Sequence, residues 1–403
     1  MRILLITNNY PLSATTSTWA PFCIRDLALA LARAGAEVLV VAPDHADEQE
    51  IETGVAVRRI PWSGRDEMDL ISLKLNSIDG LRHAASLFLN GRRHLSTVYR
   101  EVRPDFCLAA WALPSGEFAR YGKRKYGVPY AVWCLGSDIH TWARKPFFRG
   151  LTRRVLAAAD LRYADGFALA REAEELCGLS CDFLATTRSM SSKTTEPTAW
   201  DPGKRHFLFV GRWEAVKGLD ILLDAWRKLV LEGRALNAVL HIVGQGTGLE
   251  PMVSGAAGDA TLKDSLDVLG WVTQEQLAGL YAATDYVVIP SRNESIPVVL
   301  SEALSNGKPL IVTDVGDMGE LVDKYRLGRV VPAESVDDLA EALADVINSG
   351  HVLDSDMLAA VGRLFDVDQV ARQFLSDVAA LTAVPVAARG AGSAGGPAAR
   401  APS

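Results

Sequence analysis

The strongest constraint on the fold is an alternation of short β-rich apolar runs with segments of helical periodicity, which occurs twice along the chain. This alternation is typical of parallel sheets covered by helices on both faces. In the first half the predicted strands cover residues 3–7, 37–43, 55–60, 106–111, 130–135 and 161–164. In the second half they cover residues 206–211, 239–244, 286–291, 309–313 and 328–331. The pattern predicts two Rossmann-like α/β domains facing across a cleft.

The domain boundaries follow from changes in composition along the 403 residues. Residues 1–187 and 206–365 form the two predicted domains, and the polar segment 188–205 without apolar periodicity is the predicted linker. The C-terminal helices, including the amphipathic segment 366–383, are predicted to pack back on the first domain. The Ala-, Gly- and Pro-rich segment 384–403 is predicted to be disordered.

Composition and the first residues narrow the class of protein. The N-terminal segment has only a four-residue apolar run, so we expect neither a signal peptide nor a membrane span, and we predict a cytoplasmic location. Five cysteines, an odd number, favour reduced thiols over a disulfide framework. The net charge of −7 disfavours nucleic-acid binding. The first strand ends in Asn8-Asn9-Tyr10-Pro11 rather than in a glycine fingerprint, which disfavours a hydride-transferring dehydrogenase.

Two candidate ligand-binding turns open the second half. Gly211, Arg212 and Lys217 lie between a predicted strand and the helix that follows it. A glycine at a strand end lets a ligand approach the backbone, and the two cations suit a pyrophosphate. Residues 241–248 form a second strand end, rich in glycine and containing Gly244. Each turn taken alone also fits an ordinary surface loop.

Two further candidate turns follow. Glu294 ends a strand loop, and Glu302 lies eight positions later in a helix. Carboxylates of this kind accept hydrogen bonds from sugar hydroxyls, and the amides at the start of the helix face an anion. These amides belong to Ser295, Ile296, Pro297 and Val298, of which the proline contributes only its ring. Residues 313–317 form the fourth turn. Two glutamates at this interval also occur as plain surface charges.

In this order and spacing the four turns resemble the retaining GT-B glycosyltransferases of family 4, the group 1 glycosyl transferases. The resemblance implies that Glu294 contacts the transferred sugar and Glu302 the ribose, while Arg212 and Lys217 hold the diphosphate. Glu294, Arg212 and Lys217 are then the catalytic candidates. It implies a nucleotide diphosphate sugar as substrate, a UDP-sugar by expectation, with no metal and no separate cofactor. Retention in the family is explained by front-face attack assisted by the leaving phosphate.

The first domain departs from the family at several positions. Ala110 and Leu135 stand where many relatives carry a histidine, so histidine assistance is not carried over. The hydroxyl-rich loop containing Ser17 and Thr18 replaces paired glycines. We expect Ser17, Thr18 and Asp138 to bind a saccharide or lipid-linked acceptor, with a plain loop and a helix cap as the alternatives.

Basic patches of the first domain allow two interpretations. Residues 146–154 mix aromatic with basic residues, and Arg92, Arg93 and His94 form a further basic group earlier in the chain. They fit either a solvated helix face or a surface that rests on anionic lipid at the inner face of a membrane. Two other functions stay open, a non-catalytic sugar-nucleotide binding subunit and another GT-B enzyme such as a sugar-nucleotide epimerase.

Overall fold

The computed structural model describes residues 1–11, 22–44, 49–52, 54–64, 77–188, 198–349 and 353–383. The chain forms two compact units. The first contains Met1–Ala185 together with the residues from Val367 onward, and the second contains Thr186–Asp366. Ser17, Thr18, half of the predicted linker (residues 189–197) and the segment 384–403 lie outside the described residues. No helix in the described part of the chain is both long and apolar enough to cross a bilayer.

The first unit is built on a sheet of eight strands: β1 (Arg2–Ile6), β2 (Glu37–Asp44), β3 (Gln49–Glu52), β4 (Val55–Pro61), β5 (Phe106–Ala110), β6 (Tyr130–Cys134), β7 (Leu161–Ala164) and β8 (Asp182–Phe183). Their order is β3-β4-β2-β1-β5-β6-β7-β8, and only the edge strand β3 is antiparallel to its neighbour. The helices are α1 (Phe22–Arg33), α2 (Ile78–Glu101), α3 (Glu117–Tyr126), α4 (Pro146–Ala158) and α5 (Phe167–Cys177). The side chains of β1, β5 and β6 are almost all buried because helices cover both faces of the sheet.

The second unit contains a parallel sheet of six strands: β9 (Arg205–Val210), β10 (Ala238–Val243), β11 (Leu266–Gly270), β12 (Tyr286–Ile289), β13 (Leu310–Thr313) and β14 (Gly328–Val331). Their order is β11-β10-β9-β12-β13-β14. Its helices are α6 (Leu219–Leu231), α7 (Glu250–Ala257), α8 (Gln274–Ala283), α9 (Val298–Ser305), α10 (Met318–Lys324), α11 (Val336–Ser349) and α12 (Ser355–Leu364). Both sheets, which are parallel apart from the edge strand β3, confirm the predicted α/β class.

The last described helix, α13 (Val367–Ala383), packs against α1 of the first unit. Phe374 is fully buried and contacts the rings of Phe106 and Tyr163. The Tyr163 hydroxyl donates a 2.8 Å hydrogen bond to Asp377. α13 thus belongs to the first unit, whereas α12 packs against α9 of the second unit.

Candidate active site

The strand order of the second unit places a topological switch point between β9 and β12. β9 connects to β10 on one side, whereas β12 lies on its other side and leads to β13. In open α/β sheets, ligands bind at the carboxyl ends of the strands beside such a point. The four turns singled out in the sequence follow β9, β10, β12 and β13. The topology therefore gathers them at one edge of this sheet.

Two glycines allow these turns to touch. Gly244 has a φ of +138°, and a Cβ at this position would lie 1.8 Å from the carbonyl oxygen of Gly211. Gly218 has a φ of +67°, and its Cβ would lie 1.8 Å from the carbonyl oxygen of Pro290. Any side chain at either position would collide with backbone. The first turn is thus in contact with both the second and the third.

The fourth turn joins the third through backbone contacts. The Thr313 hydroxyl donates a 2.5 Å hydrogen bond to the carbonyl oxygen of Ser291. The amide of Asp317 donates a 3.2 Å hydrogen bond to the carbonyl oxygen of Ser295. Gly316 packs directly on the carbonyl of Glu294. The structure therefore brings all four turns into one cluster.

Two of the three proposed catalytic side chains are paired. The Lys217 ammonium donates a hydrogen bond to the carboxylate of Glu294, and the Ser291 hydroxyl donates to the same oxygen at 3.2 Å. The side chains of Lys217 and Glu294 are 24% and 14% exposed. Arg212 instead donates a 2.8 Å bond to Glu214, and both of these side chains are 40% exposed.

Arg292 holds the third turn against α6. Its guanidinium donates two hydrogen bonds, of 2.6 and 2.8 Å, to Asp220 and one of 2.6 Å to Glu334. The hydrogen bonds that Arg292 donates to these two carboxylates raise its pKa. Partial burial acts to raise the pKa of Asp220, but the Arg292 contacts outweigh burial and lower it. This bidentate pair fixes the loop that carries Glu294.

Glu302 lies in α9, is 2% exposed, and accepts two hydrogen bonds. The Tyr281 hydroxyl donates to one carboxylate oxygen at 2.8 Å, and Arg188 donates to the other at 3.0 Å. Burial raises the pKa of Tyr281, and the Glu302 charge raises it further. Neither Tyr281 nor Arg188 is predicted from the sequence, because both lie far from Glu302 along the chain and outside any motif.

Three backbone N–H groups at the start of α9 and just before it, those of Ser295, Ile296 and Val298, belong to the predicted donor-binding residues. The helix begins at Val298 with Pro297 preceding it, and Ile296 is buried while Ser295 is partly exposed. The N-terminal end of a helix favours an anion. The positions of Ser295, Ile296, Pro297 and Val298 are compatible with phosphate binding, which stays a prediction.

A buried tryptophan lies between the first two turns. Trp213 is 9% exposed, and a Cβ placed on Gly244 would lie 3.4 Å from its indole nitrogen. This Nε1 is buried and has no hydrogen-bond partner among the described residues. A buried donor without a partner costs about 1–3 kcal/mol.

In the first unit Asp138 is fully buried. Its carboxylate accepts hydrogen bonds from the amides of Ala112 at 2.9 Å and Leu135 at 3.3 Å, and so ties together the turns after β5 and β6. Burial raises the pKa of Asp138, opposed by these amide donors. A role in acceptor binding stays a prediction, and the structure adds a structural role. Ala110, at one of the positions of the family histidines, is buried at the end of β5.

Comparison with known protein families gives two matches along the chain. Residues 22–180 match the glycosyl transferase 4-like domain, and residues 191–360 match the glycosyl transferases group 1. The D-inositol 3-phosphate glycosyltransferase of Rhodococcus erythropolis is 28% identical over 363 residues, which cover 80% of this chain and 77% of that protein. The putative teichuronic acid biosynthesis glycosyltransferase TuaC of Bacillus subtilis is 29% identical over 255 residues, covering 60% and 61%.

Solved structures show the same fold. The sucrose-phosphate synthase of Thermosynechococcus elongatus superposes with a TM-score of 0.77 at 19% identity, covering 95% of this chain and 99% of that one. Anabaena HepE in complex with UDP-glucose gives a TM-score of 0.68 at 17% identity, covering 94% and 100%. With both halves matched by transferase families and the GT-B fold shared, the chain belongs to the group 1 glycosyltransferases of family 4.

Proposed function

We propose that this glycosyltransferase moves a sugar from a nucleotide diphosphate sugar, a UDP-sugar by preference, to a saccharide or lipid-linked acceptor with retention of configuration. The observation that carries the proposal is the pairing of Lys217 with Glu294 inside the cluster of glycine-lined turns. A cation and a carboxylate at the switch point provide groups for the two parts of such a donor, its diphosphate and its sugar.

The diphosphate is the natural partner of the cations. Lys217 is three-quarters buried, whereas Arg212 forms an exposed ion pair with Glu214. An exposed pair of this kind contributes about 0.2–1 kcal/mol, so a diphosphate competes with it readily. The amides at the start of α9 supply further donors. When Lys217 turns to the diphosphate, the Glu294 carboxylate becomes available to hydroxyl groups of the sugar.

These positions also support a retaining mechanism. Negative charge grows on the diphosphate as the bond to the sugar breaks, and fixed cations stabilise that charge more strongly in the transition state than in the bound donor. In front-face attack the departing phosphate accepts the proton of the acceptor hydroxyl. No other base from the chain is then needed at the reacting carbon.

The relatives support the choice of substrates. HepE has been solved with UDP and with UDP-glucose, which favours a UDP-sugar as the donor. Relatives are named for transfer to inositol phosphate and for teichuronic acid synthesis, so a hydroxyl-bearing saccharide or lipid-linked acceptor is consistent with them. A cytoplasmic enzyme, in peripheral contact with the inner face of a membrane, belongs to the same proposal.

Calorimetric titration with UDP-, GDP- and ADP-glucose tests the donor. We expect saturable binding of UDP-glucose without added metal, and weaker binding of the other two. Equal or absent binding of all three nucleotide sugars would contradict a UDP-sugar donor. Formation of a glycoside with the anomeric configuration of the donor, read by nuclear magnetic resonance, tests retention.

Two variants test the division of roles between the glutamates. Glu294→Gln keeps the shape but removes the charge, so turnover should fall about 10²-fold while UDP affinity changes little. Glu302→Gln should weaken UDP and donor alike, since a ribose contact stabilises ground and transition states about equally. If Glu294→Gln weakens UDP binding as much as Glu302→Gln does, the assignment is wrong.

A further inference from the structure

Three neighbouring helices of the first unit carry a large excess of positive charge. α3 packs against both α2 and α4. α2 has four arginines and two acidic residues, α3 has four basic residues and one acidic residue, and α4 has three arginines and no acidic residue. The excess is eight positive charges in a chain whose net charge is −7. Such segregation creates a local field that attracts anions.

Much of this charge is left uncompensated by the protein. Glu117 is occupied by a bidentate pair with Arg120, at 2.7 and 2.8 Å, and lies 3.9 Å from Arg92. Arg124 has neither a hydrogen bond nor an ion pair within the described ranges. A pocket of about 360 Å³ lies among these side chains, and we call it the basic pocket; its lining residues are Arg92, Glu117, Arg120, Tyr121, Arg124 and Lys125. Four cations thus surround one carboxylate.

The same surface exposes large apolar side chains. Ile78, Leu81 and Leu89 of α2 are 79%, 57% and 70% exposed. Arg82, Ala85 and Arg92 are spaced from these three residues by three or four positions. All six residues therefore lie along one side of the helix. On α4, Phe147 is 77% exposed. Large exposed apolar residues in line with cations are typical of helices that lie in a membrane interface.

We infer that the outer surface of α2, with the basic pocket and the start of α4, docks on a bilayer containing anionic phospholipid. Ile78, Leu81 and Leu89 enter the boundary between headgroups and acyl chains. Arg92, Arg124 and Lys125 bind the phosphate groups of the lipids. The excess of positive charge on the three helices is complementary to these negative phosphates. A solvated helix face explains the cations but leaves the exposed leucines unexplained.

This inference rests on the proposed function, since docking would bring the enzyme to a lipid-linked acceptor. His83 and Asn90 of α2 hydrogen-bond to Ser63 and to the carbonyl oxygen of Pro61 at the end of β4, so the apolar N-terminal part of α2 lies on the side of the sheet where the parallel strands end. That edge carries the turns after β5 and β6 with Asp138. The bilayer would therefore lie on the side of the unit where an acceptor is expected.

Sedimentation of the full chain with vesicles tests the docking. We expect binding to equimolar phosphatidylglycerol and phosphatidylcholine at low salt, loss at high salt, and little binding to phosphatidylcholine alone. Arg92→Gln with Arg124→Gln should weaken binding about 30-fold, the equivalent of about 1 kcal/mol for each cation at the surface. The matched control is Lys263→Gln with Arg363→Gln, two exposed cations of the second unit with the same change in charge. It should bind like the wild type.

A second pair of variants tests the apolar contact. Leu81→Ser with Leu89→Ser should weaken vesicle binding about tenfold or more, because each buried methylene contributes about 0.8 kcal/mol. Leu231→Ser with Leu236→Ser, whose leucines are 69% and 81% exposed in the second unit, is the control and should bind normally. Equal losses in test and control pairs, equal binding to neutral vesicles, or no binding at low salt would overturn the inference. Titration with UDP in the absence of vesicles reports on the proposed function separately, and all four variants should bind UDP normally.

Discussion

The Tyr281 hydroxyl donates a 2.8 Å hydrogen bond to the carboxylate of Glu302, and both groups lie in the interior of the second unit. Arg188 donates to the other oxygen of the same carboxylate at 3.0 Å. Each carboxylate oxygen can accept two hydrogen bonds, so these contacts fix the group and leave one acceptor position on each oxygen. Tyr281 therefore acts as a positioning residue for the proposed ribose contact.

Replacing Tyr281 with Phe should weaken donor binding more than turnover. The variant loses a hydrogen bond to a charged group, worth about 1.5–3 kcal/mol, so the Glu302 carboxylate keeps its contact with Arg188 but is positioned less firmly. Because a ribose contact acts equally in the ground and transition states, KM for the donor should rise about tenfold while kcat stays within about threefold. Steady-state kinetics and UDP titration measure the split.

The control for this variant is Tyr130→Phe in the first unit. Tyr130 is also fully buried, and its hydroxyl donates a 2.6 Å bond to the carbonyl oxygen of Val155. Tyr130→Phe should lower the free energy of unfolding by about as much as Tyr281→Phe does, without changing the affinity for UDP. A fall in melting temperature with unchanged KM in Tyr281→Phe would make Tyr281 a purely structural residue.

The contact between Lys217 and Glu294 predicts non-additive effects on stability. Lys217→Met leaves a largely buried carboxylate whose one remaining partner among the described residues is Ser291, so it should destabilise the protein by about 1–3 kcal/mol. Combining it with Glu294→Gln should cost less than the sum, by at least about 0.5 kcal/mol. Chemical denaturation of the four proteins measures this coupling, and additive values would show that the pair is not formed in solution.

The same four proteins separate the pair from the diphosphate contact. If Lys217 binds the diphosphate, Lys217→Met should weaken UDP binding about tenfold or more in either background. Lys263→Met, at an exposed site of the second unit, is the control. Unchanged UDP affinity would remove Lys217 from the donor site whatever the stability data show.

Asp182 and Asp377 predict a gain in stability when one charge is removed. Burial raises the pKa of both carboxyl groups, and for Asp182 the charge of Asp377 adds to the effect. A carboxyl group whose folded pKa is raised favours the folded state below its unfolded pKa of about 3.9, and that contribution is lost as the pH rises through the folded pKa. Above their raised pKa values the two carboxylates repel each other, and this repulsion acts between Asp182 and α13, which carries Asp377.

Asp182→Asn should therefore raise the melting temperature at pH 7 by about 1–3 °C. The difference from the wild type should shrink as the pH falls through the raised pKa of Asp182, because protonation removes the charge that the substitution removes. Glu37→Gln, at an exposed site in the same unit, is the control and should show no such gain. A stabilisation that is independent of pH would point to packing rather than charge.

The sequence predicts the sheets well because buried parallel strands form continuous apolar runs. The exceptions are short or lie at an edge. β11, with the sequence LDVLG, is half-buried at every position, and β8 has only two residues. Neither provides enough apolar contrast to stand out from a loop. β3 pairs only with β4 and contains the polar sequence QEIE, which has little in common with a core strand.

The sequence predicts the candidate site only where glycines or charged residues directly follow a predicted strand. Glycines and charges at four strand ends indicate where the turns lie, and the topology then brings them together. The partners of those charges depend on tertiary contacts. Glu294 lies 77 positions from Lys217, and Arg188 lies 114 positions from Glu302. The burial of Asp138 is likewise a property of the packed turns after β5 and β6, which a strand-end aspartate does not reveal.

The last prediction concerns Trp213, whose buried indole nitrogen has no hydrogen-bond partner in the described part of the chain. The ring lies against Gly244, at the junction of the first two turns. Trp213→Phe keeps an aromatic side chain but removes the donor, so the free protein should lose the penalty of an unsatisfied group, about 1–3 kcal/mol. Part of this gain is offset by the smaller ring, which leaves a cavity.

If the indole N–H donates to the bound diphosphate, the variant should bind UDP about 5- to 10-fold more weakly even though its melting temperature is unchanged or higher. Trp226→Phe is the matched control, since its indole donates a 3.0 Å bond to the carbonyl oxygen of Ser265 in the core of the same unit. That variant should lose stability and keep its UDP affinity. Opposite signs for stability and affinity in Trp213→Phe would distinguish a ligand donor from a packing residue, because a packing residue would lose both together. Unchanged UDP affinity in Trp213→Phe would exclude the indole from the donor site.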